Sequence, residues 1–339
     1  MNKLLTIIIP TYNRCKMLEE SLQMAIPQIR RFDNDVNLYV SDNASTDDTK
    51  SMVEKYLQEN EDILSYYRQP ENVGSEKNFR HAVKAVNSKY VCLIGDDDVL
   101  FPNYVETILS LLNEYKEIGV INYNVMSVSY EYKNANLREK DIRGLSPVFY
   151  STGKDFIYNH LEVPSLMSSN VFNRELFVRE IDTISIGTYP GYDWLAVLYK
   201  SCLQKKCMFV NIPLLLSRTP LEQRWIVDAP WFHIYGLGKL FMDMDCYVPR
   251  LFDHWKEYSQ TTNKGSLNYI LKIISRNKDL YNERFETMRP YMCSKEYEKQ
   301  FRLRLYHSDT YIDFVNSPAW FLYVRTSCAI KRLFHLFKK

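Results

Sequence analysis

Three carboxylates stand in a row at Asp96, Asp97 and Asp98, directly after the apolar run Lys89 to Gly95. Adjacent acids at the end of a strand repel one another unless a cation or a positive partner is present. A hard divalent cation bridging them to a diphosphate would relieve that repulsion and polarise the phosphates. The plainer use is a solvated helix N-terminus just before Pro102, where negative charge is favourable. Three more polar clusters share the character of this one. They are Pro10-Thr11-Tyr12-Asn13-Arg14, Ser41-Asp42-Asn43-Ala44-Ser45 and Glu71-Asn72-Val73-Gly74. Taken singly, Asp42 and Asn72 are ordinary turn residues.

The elements between these clusters explain why they belong together. Leu4 to Ile9 is a continuous apolar run, as a strand buried on both faces requires. Residues 15–29 read as a helix, Val36 to Asp42 as a strand, Thr46 to Glu59 as a helix with Asp47 and Asp48 in its first turn, and Ile63 to Arg68 as a strand. Ser75 to Asn87 reads as a helix and Lys89 to Gly95 as a fourth strand. Strands alternating with helices at this spacing mean βαβ units and a parallel sheet. Ligands bind at the carboxyl ends of such strands, and each polar cluster follows one of them. Four such ends in succession predict a nucleotide or phosphate crevice. Beyond residue 100 the reading gives a helix from Pro102 to Tyr115, one or two strands within Ile118 to Tyr132, a polar loop over 133–147, a mixed region to about 225, and helices from 230 onward.

Composition narrows the function classes. The chain has 339 residues with a formal net charge of +2, so charge gives no argument for a nucleic-acid partner. Seven scattered cysteines with no CxxC pair argue against a disulfide framework and a structural zinc site. That pattern favours a reducing compartment. No run reaches the ~18 to 20 apolar residues of a transmembrane helix, and the expected location is cytoplasmic. The glycine fingerprints GxGxxG and GxxxxGK[ST] are missing, as is a GxSxG elbow. With only 10 glycines in the chain, a phosphate must be held by something other than a glycine cradle.

The runs LTIIIPTYNR, VSDNASTDDT, PENVGSEKNFRHAV and LIGDDDVLFP, in that order, resemble the motifs of the inverting, nucleotide-sugar-dependent enzymes of glycosyltransferase family 2 over residues 3–125. To the mainly helical C-terminal extension read from the residues beyond 230, the resemblance adds an α/β GT-A fold, Rossmann-like with a mainly parallel sheet flanked by helices. It divides the chain into a GT-A domain over 1–225 (a nucleotide-sugar half 1–125, an acceptor half 126–225) and a helical region over 226–339. It implies a divalent metal, Mn²⁺ or Mg²⁺, and transfer of one sugar to an acceptor hydroxyl. By the same resemblance Pro10, Thr11, Tyr12, Asn13 and Arg14 line the nucleoside pocket, and Asp42, assisted by Asn43, accepts a hydrogen bond from the base. Asn72, Gly74, Lys77 and Asn78 lie against the ribose and diphosphate. The DXD carboxylates fall within Asp96 to Asp98. Spacing alone selects Asp96 and Asp98, whereas counting back from Pro102 puts the metal on Asp97 with Asp96 nearer the ribose; Asp97 is the preferred ligand, with Asp98 beside it.

The family also needs a base after these carboxylates, at the head of a helix beside the acceptor. Asp193, in Tyr189-Pro190-Gly191-Tyr192-Asp193-Trp194, fits; its alternative use is as an N-cap. Arg224 would neutralise the leaving diphosphate. His233 would complete the metal shell, or else pack among its aromatic neighbours. Residues 318–339 form a basic amphipathic helix that reads either as an anchor on an anionic membrane surface or as a terminal helix docked on its own domain. The expected acceptor is a glycan or polyprenyl-linked glycan in O-antigen or capsule assembly, at the inner face of the plasma membrane. The rivals are a sugar-1-phosphate nucleotidyltransferase and a non-catalytic glycan-binding protein on the same fold.

Overall fold

The computed structural model of the protein describes residues 2–129, 136–137, 146–161, 163–219, 227–261 and 264–306. The first half runs β1 (Leu5–Thr11), α1 (Cys15–Arg30), β2 (Val36–Asp42), α2 (Thr49–Asn60), β3 (Leu64–Arg68), α3 (Ser75–Ala85), β4 (Tyr90–Leu93), β5 (Val99–Leu100), α4 (Tyr104–Glu114) and β6 (Ile118–Ser129). There follow β7 (Asn136–Leu137), β8 (Val148–Tyr150), α5 (Gly153–His160), β9 (Asn170–Asn173), α6 (Arg174–Ile181), α7 (Asp193–Cys202) and β10 (Lys206–Thr219).

These strands form one sheet in the order β3-β2-β1-β4-β9-β6-β10-β5, with β7 on β6 and β8 on β10. β1 runs parallel to both β2 and β4, β2 to β3, and β6 to β10, while β9 lies antiparallel between β4 and β6. The result is the mainly parallel α/β fold that the alternating pattern predicts. β1 is central because its side chains are apolar on both faces. Leu5, Ile7 and Ile9 share one core cluster with α1, α2 and α4. Ile8 points to the opposite face by the two-residue period of a strand, where α3 contacts β1 and β2.

Several boundaries differ from the sequence reading, and the differences serve the loops. The fourth strand ends at Leu93, the Ile94 amide still donates to the Ile8 carbonyl of β1 at 2.9 Å, and Gly95 to Asp98 leave the ladder. The second helix begins at Thr49, because Asp47 ties its head from outside: its Oδ1 accepts from the Thr49 amide at 3.1 Å and its Oδ2 from the Cys15 amide at 3.1 Å. Residues 118–129 make one long strand. The six cysteines among the described residues are all free thiols.

The chain divides into two compact units, Met1–Gln223 with Cys246–Pro249, and Arg224–Asp245 with Arg250–Lys339. The second is helical. It contains a π-helical turn (Trp231–Leu237), α8 (Gly238–Met244), α9 (Leu251–Thr261), α10 (Lys264–Arg276), α11 (Lys278–Met288) and α12 (Lys295–Tyr306). Its core gathers Ile270, Ile274, Tyr281, Phe285, Met288 and Phe301. Among the described residues no helix is long and apolar enough to cross a membrane.

Candidate active site

The carboxyl ends of β1, β2, β3 and β4 meet through side chains. Thr11, the last residue of β1, donates from Oγ1 to Asp96 Oδ2 at 2.7 Å. Arg14 sends one nitrogen, Nη1, to both Asp96 Oδ1 at 2.8 Å and Asp97 Oδ2 at 2.9 Å. Between them stands Asn13 in the left-handed region at φ 55, a conformation Asn tolerates better than most residues. Its amide donates to Ser45 Oγ at 2.9 Å and its Oδ1 accepts from the Thr46 amide at 2.7 Å. The ends of β1 and β2 are thus laced together. Pro10 is half-buried and Tyr12 is exposed.

Asp42 is completely buried. Its Oδ1 accepts from the Ser45 amide at 2.8 Å, and its Oδ2 accepts from Tyr66 Oη at 2.7 Å and faces Arg68 Nε at 3.5 Å. Both oxygens are therefore engaged by the protein. Burial, then the hydrogen bond to Asp42, pushes the Tyr66 phenol well above its usual range. Asn43 bridges outward: Nδ2 donates to Asn72 Oδ1 at 2.8 Å and Oδ1 accepts from the Val73 amide at 3.0 Å. Gly74 follows at φ 86, where a side chain would be strained. Lys77 is exposed on the first turn of α3. Asn78 is buried and turned inward, bonded to the Ser41 hydroxyl and to the Ser41 carbonyl, each at 2.9 Å.

The three adjacent acids have three different environments. Asp97 is the most accessible, with 18% of its side chain exposed. Asp96 is pushed up to about 6, by burial first and then by Asp97, against the lowering by Arg14. Asp98 is pushed up to about 7 by burial and then by Asp97, while Ser168 and Ser217 hydrogen-bond to it. Its side chain is buried among those serines. The backbone of the run is pinned as well. Ser21 on α1 donates to the carbonyls of Asp96 and Asp98 at 3.1 and 2.5 Å, and Arg218 on β10 donates from Nε to the Asp97 carbonyl at 2.5 Å. A Cβ at Gly95 would lie 2.8 Å from Asp97 Oδ1 and 3.1 Å from Asp98 Oδ2, so a side chain there would have to displace the two carboxylates.

A divalent cation would find one accessible acid here and no protein cage among the described residues. Among the described residues no three His, Cys, Asp or Glu side chains gather to hold an ion. Asp97 alone offers an accessible carboxylate of the oxygen type that hard cations take. Mg²⁺ typically binds through one or two carboxylates plus substrate phosphates and water, so a single acid suffices when the nucleotide brings the rest. His233 lies in the π-helical turn of the second unit and is half-buried. Arg224 and residues 318–339 lie outside the described residues.

Asp193 opens α7, and Tyr192 precedes it in the cap position. Its carboxylate reaches back over the preceding loop: Oδ2 accepts from the Gly187 amide at 2.5 Å and Oδ1 from the Tyr189 amide at 2.6 Å. It is only 4% exposed. A carboxylate offers roughly four lone-pair sites, so about two remain for a proton. Glu76, on the first turn of α3, is pushed up to about 7 by burial, with the charge of Asp193 adding to the rise and Arg80 opposing it. The two carboxylates are therefore electrostatic neighbours within one unit. The sequence reading did not single out Tyr66, Arg68, Glu76, Arg80, Ser168 or Arg218. Arg68 offered a signal, an arginine ending the strand beside the one that ends in Asp42; for the others the signal exists only once distant segments meet.

The family model described as glycosyl transferase family 2 matches residues 6–177, just over half of the chain. Among curated proteins, the chain is 33% identical over 115 residues to the abequosyltransferase RfbV of Salmonella typhimurium, covering 34% of each. It is 30% identical over 186 residues to the GalNAc(5)-diNAcBac-PP-undecaprenol β-1,3-glucosyltransferase of Campylobacter jejuni, covering 52% of this chain and 57% of that one. The matches thus span about a third and somewhat over half the length of these relatives. Among solved structures, S. aureus TarS 1–349 superposes with a TM-score of 0.59 at 15% identity, over 89% of this chain and 91% of that one. Its complex with UDP-GlcNAc gives 0.58 at 14% identity, over 91% and 93%. At that identity the likeness concerns the fold, and it is the fold seen here. The motifs at four strand ends, their lacing around Asp96 and Asp97, and the family match agree: the chain belongs to glycosyl transferase family 2.

Proposed function

We propose that this chain is a metal-dependent transferase that moves a single sugar, with inversion, from a nucleoside diphosphate sugar to a glycan or lipid-linked glycan. The observation that carries the reading is Arg14 holding Asp96 and Asp97 together at the end of β4, with Asp97 the accessible acid. Pro10 to Arg14 with Asn43, Asn72, Gly74 and Lys77 would face the nucleotide. Asp42, buried behind them, would act by fixing the Ser45 turn, and Asn78 by fixing Ser41. A divalent cation would be held by Asp97 and would stabilise the charge developing on the leaving diphosphate. Asp193 would take the proton from the acceptor hydroxyl as that oxygen attacks the anomeric carbon. Arg224 would offset charge on the diphosphate.

Residues 1–125 would serve as the donor half, 126–225 as the acceptor half, and the helical region as a support. A polyprenyl-linked acceptor in surface-polysaccharide assembly is supported by the name of the Campylobacter relative, and a nucleotide-sugar donor by the UDP-GlcNAc complex of TarS. The basic residues of 318–339 would then bind the anionic inner face of the membrane. Deleting them should weaken binding to anionic vesicles, since each basic side chain near such a surface contributes about 1 kcal/mol.

The test is thermal stabilisation by nucleoside diphosphate sugars with and without Mn²⁺ or Mg²⁺. A ligand at a hundredfold excess over its Kd adds about 2.7 kcal/mol to the folded state. The reading expects a shift with one donor class that grows when the metal is present. No shift with any donor would remove it.

A further inference from the structure

Helix α3 carries, behind the exposed Lys77, an arginine that the donor motifs leave without a role. Arg80 is 9% exposed. Its Nε donates to Glu76 Oε1 at 2.8 Å, and its Nη1 donates to the carbonyls of Ile181 at 2.5 Å and Ile184 at 2.9 Å. Ile181 ends α6, but Ile184 lies in the loop that follows. Three residues later Gly187, at φ 86, offers its amide to Asp193 Oδ2, and Tyr189 offers its own to Oδ1. The loop is closed on itself by Asp193 and fastened to α3 by Arg80.

We propose that Arg80 is a positioning residue: it fixes the loop 183–192, beyond the Asp182 cap of α6, and with it Asp193, against the helix whose first turn faces the donor. The inference rests on the reading of Asp193 as the base. Two features separate this role from general docking of the two helices. First, α6 is already joined to α3 elsewhere: Lys84 pairs with Asp182 at 2.7 and 2.8 Å, and Arg174 donates to the carbonyls of Val83 and Lys84 at 2.9 and 2.8 Å. Those bonds secure the helix, whereas Arg80 also grips the loop beyond it. Second, Glu76 and Asp193 are like charges close enough to raise the Glu76 carboxyl. The guanidinium on Glu76 offsets that repulsion while holding the loop in place. Arg80 Nη2 is buried with no partner among the described residues, a cost that a smaller side chain would have avoided. A lysine cannot reproduce the planar fork that reaches both carbonyls and Glu76.

The test uses the full chain with Arg80→Lys, Arg80→Gln and, as the control for helix docking, Asp182→Asn. Hydrogen exchange at the Gly187 and Tyr189 amides needs no donor. Both Arg80 variants should accelerate it by about tenfold or more, and Asp182→Asn should leave it alone. Turnover is read with the best donor from a panel of UDP-, GDP- and TDP-sugars. There kcat should fall about 10- to 100-fold, as misplacement of a reacting group does, with the donor KM within about twofold. Unchanged exchange and kcat in either folded Arg80 variant would overturn the proposal, as would an effect confined to KM. If both variants fail to fold, the wild type decides: the two amides must be as protected as those of α3, and exchange at the unprotected rate overturns the proposal. Wild-type protein that turns over no donor would remove the transferase reading instead, and the exchange arm would still report on Arg80.

Discussion

The loop carrying Asp96 to Asp98 and the loop carrying Asp193 both present acids from the first unit, and they are held in opposite ways. The acid run is fixed from outside. Thr11, Arg14, Ser21, Ser168 and Arg218 reach it from separate elements, and two of its carboxyls are buried and raised toward neutrality. The Asp193 loop is fixed from within, by its own carboxylate on two backbone amides, with Arg80 as the anchor from α3. Redundant support tolerates the loss of one bond. A loop closed by the group proposed as the base does not, because on that reading any change at Asp193 alters both geometry and chemistry.

The largest expected effect follows from that difference. Asp193→Asn should lower kcat by about 10² to 10⁴, the usual worth of a positioned base, while donor affinity stays near normal. The variant also turns an amide NH₂ toward one of the two backbone N–H groups, so a loosened loop would lower kcat as well. The pH profile separates the two causes. Loss of a base abolishes the acidic limb of the kcat profile, whereas a loosened loop lowers the plateau and keeps the limb. Retention of the limb would assign Asp193 to loop closure alone.

Asp97→Ala is expected to cost about 10² to 10³ in kcat, the scale for losing one stabiliser of developing charge, and to reproduce the effect of chelation. Fold stability should hardly change, since Asp97 is the most exposed of the three acids. A melting temperature that falls along with activity would mean that its role lies in the Arg14 ion pair.

Asp42→Ala should act on the fold. It strands the Tyr66 hydroxyl and the Ser45 amide, at about 1 to 3 kcal/mol for a buried polar group left unsatisfied, measured by chemical denaturation. A loss of donor binding without loss of stability would restore Asp42 as a direct contact to the base.

The smallest expected effect concerns Glu76. Its carboxyl titrates near 7 in the folded chain against roughly 4.3 in an unfolded one. The native state therefore holds the proton more tightly, and the group's stabilising contribution is lost as pH rises from about 4 to 7. Glu76→Gln removes that slope, so its melting temperature relative to wild type should climb across this window. A constant difference would show that Glu76 stays ionised beside Arg80.

The same contrast explains what could be read from the chain. β2 was legible to the residue, Val36 to Asp42, because period and turn residues are local. The four strand ends were legible because apolar runs stop there. The inward turn of Asp98 was not, since it depends on Ser168, just before β9, and Ser217 on β10. Nor was Arg80, whose carbonyl partners lie 101 and 104 residues away. Asp193 was placed at the head of its helix, yet the residue pattern gave no sign that both its oxygens would turn back onto Gly187 and Tyr189.

The most direct test of the account is nucleoside diphosphate release by the wild-type chain from a panel of nucleoside diphosphate sugars, in Mn²⁺ or Mg²⁺ and again in excess EDTA. The account predicts release from one donor class, abolished by EDTA and restored by added metal. Undiminished release in EDTA would contradict the role given to Asp97, and no release from any donor, with or without a glycan acceptor, would contradict the transferase itself.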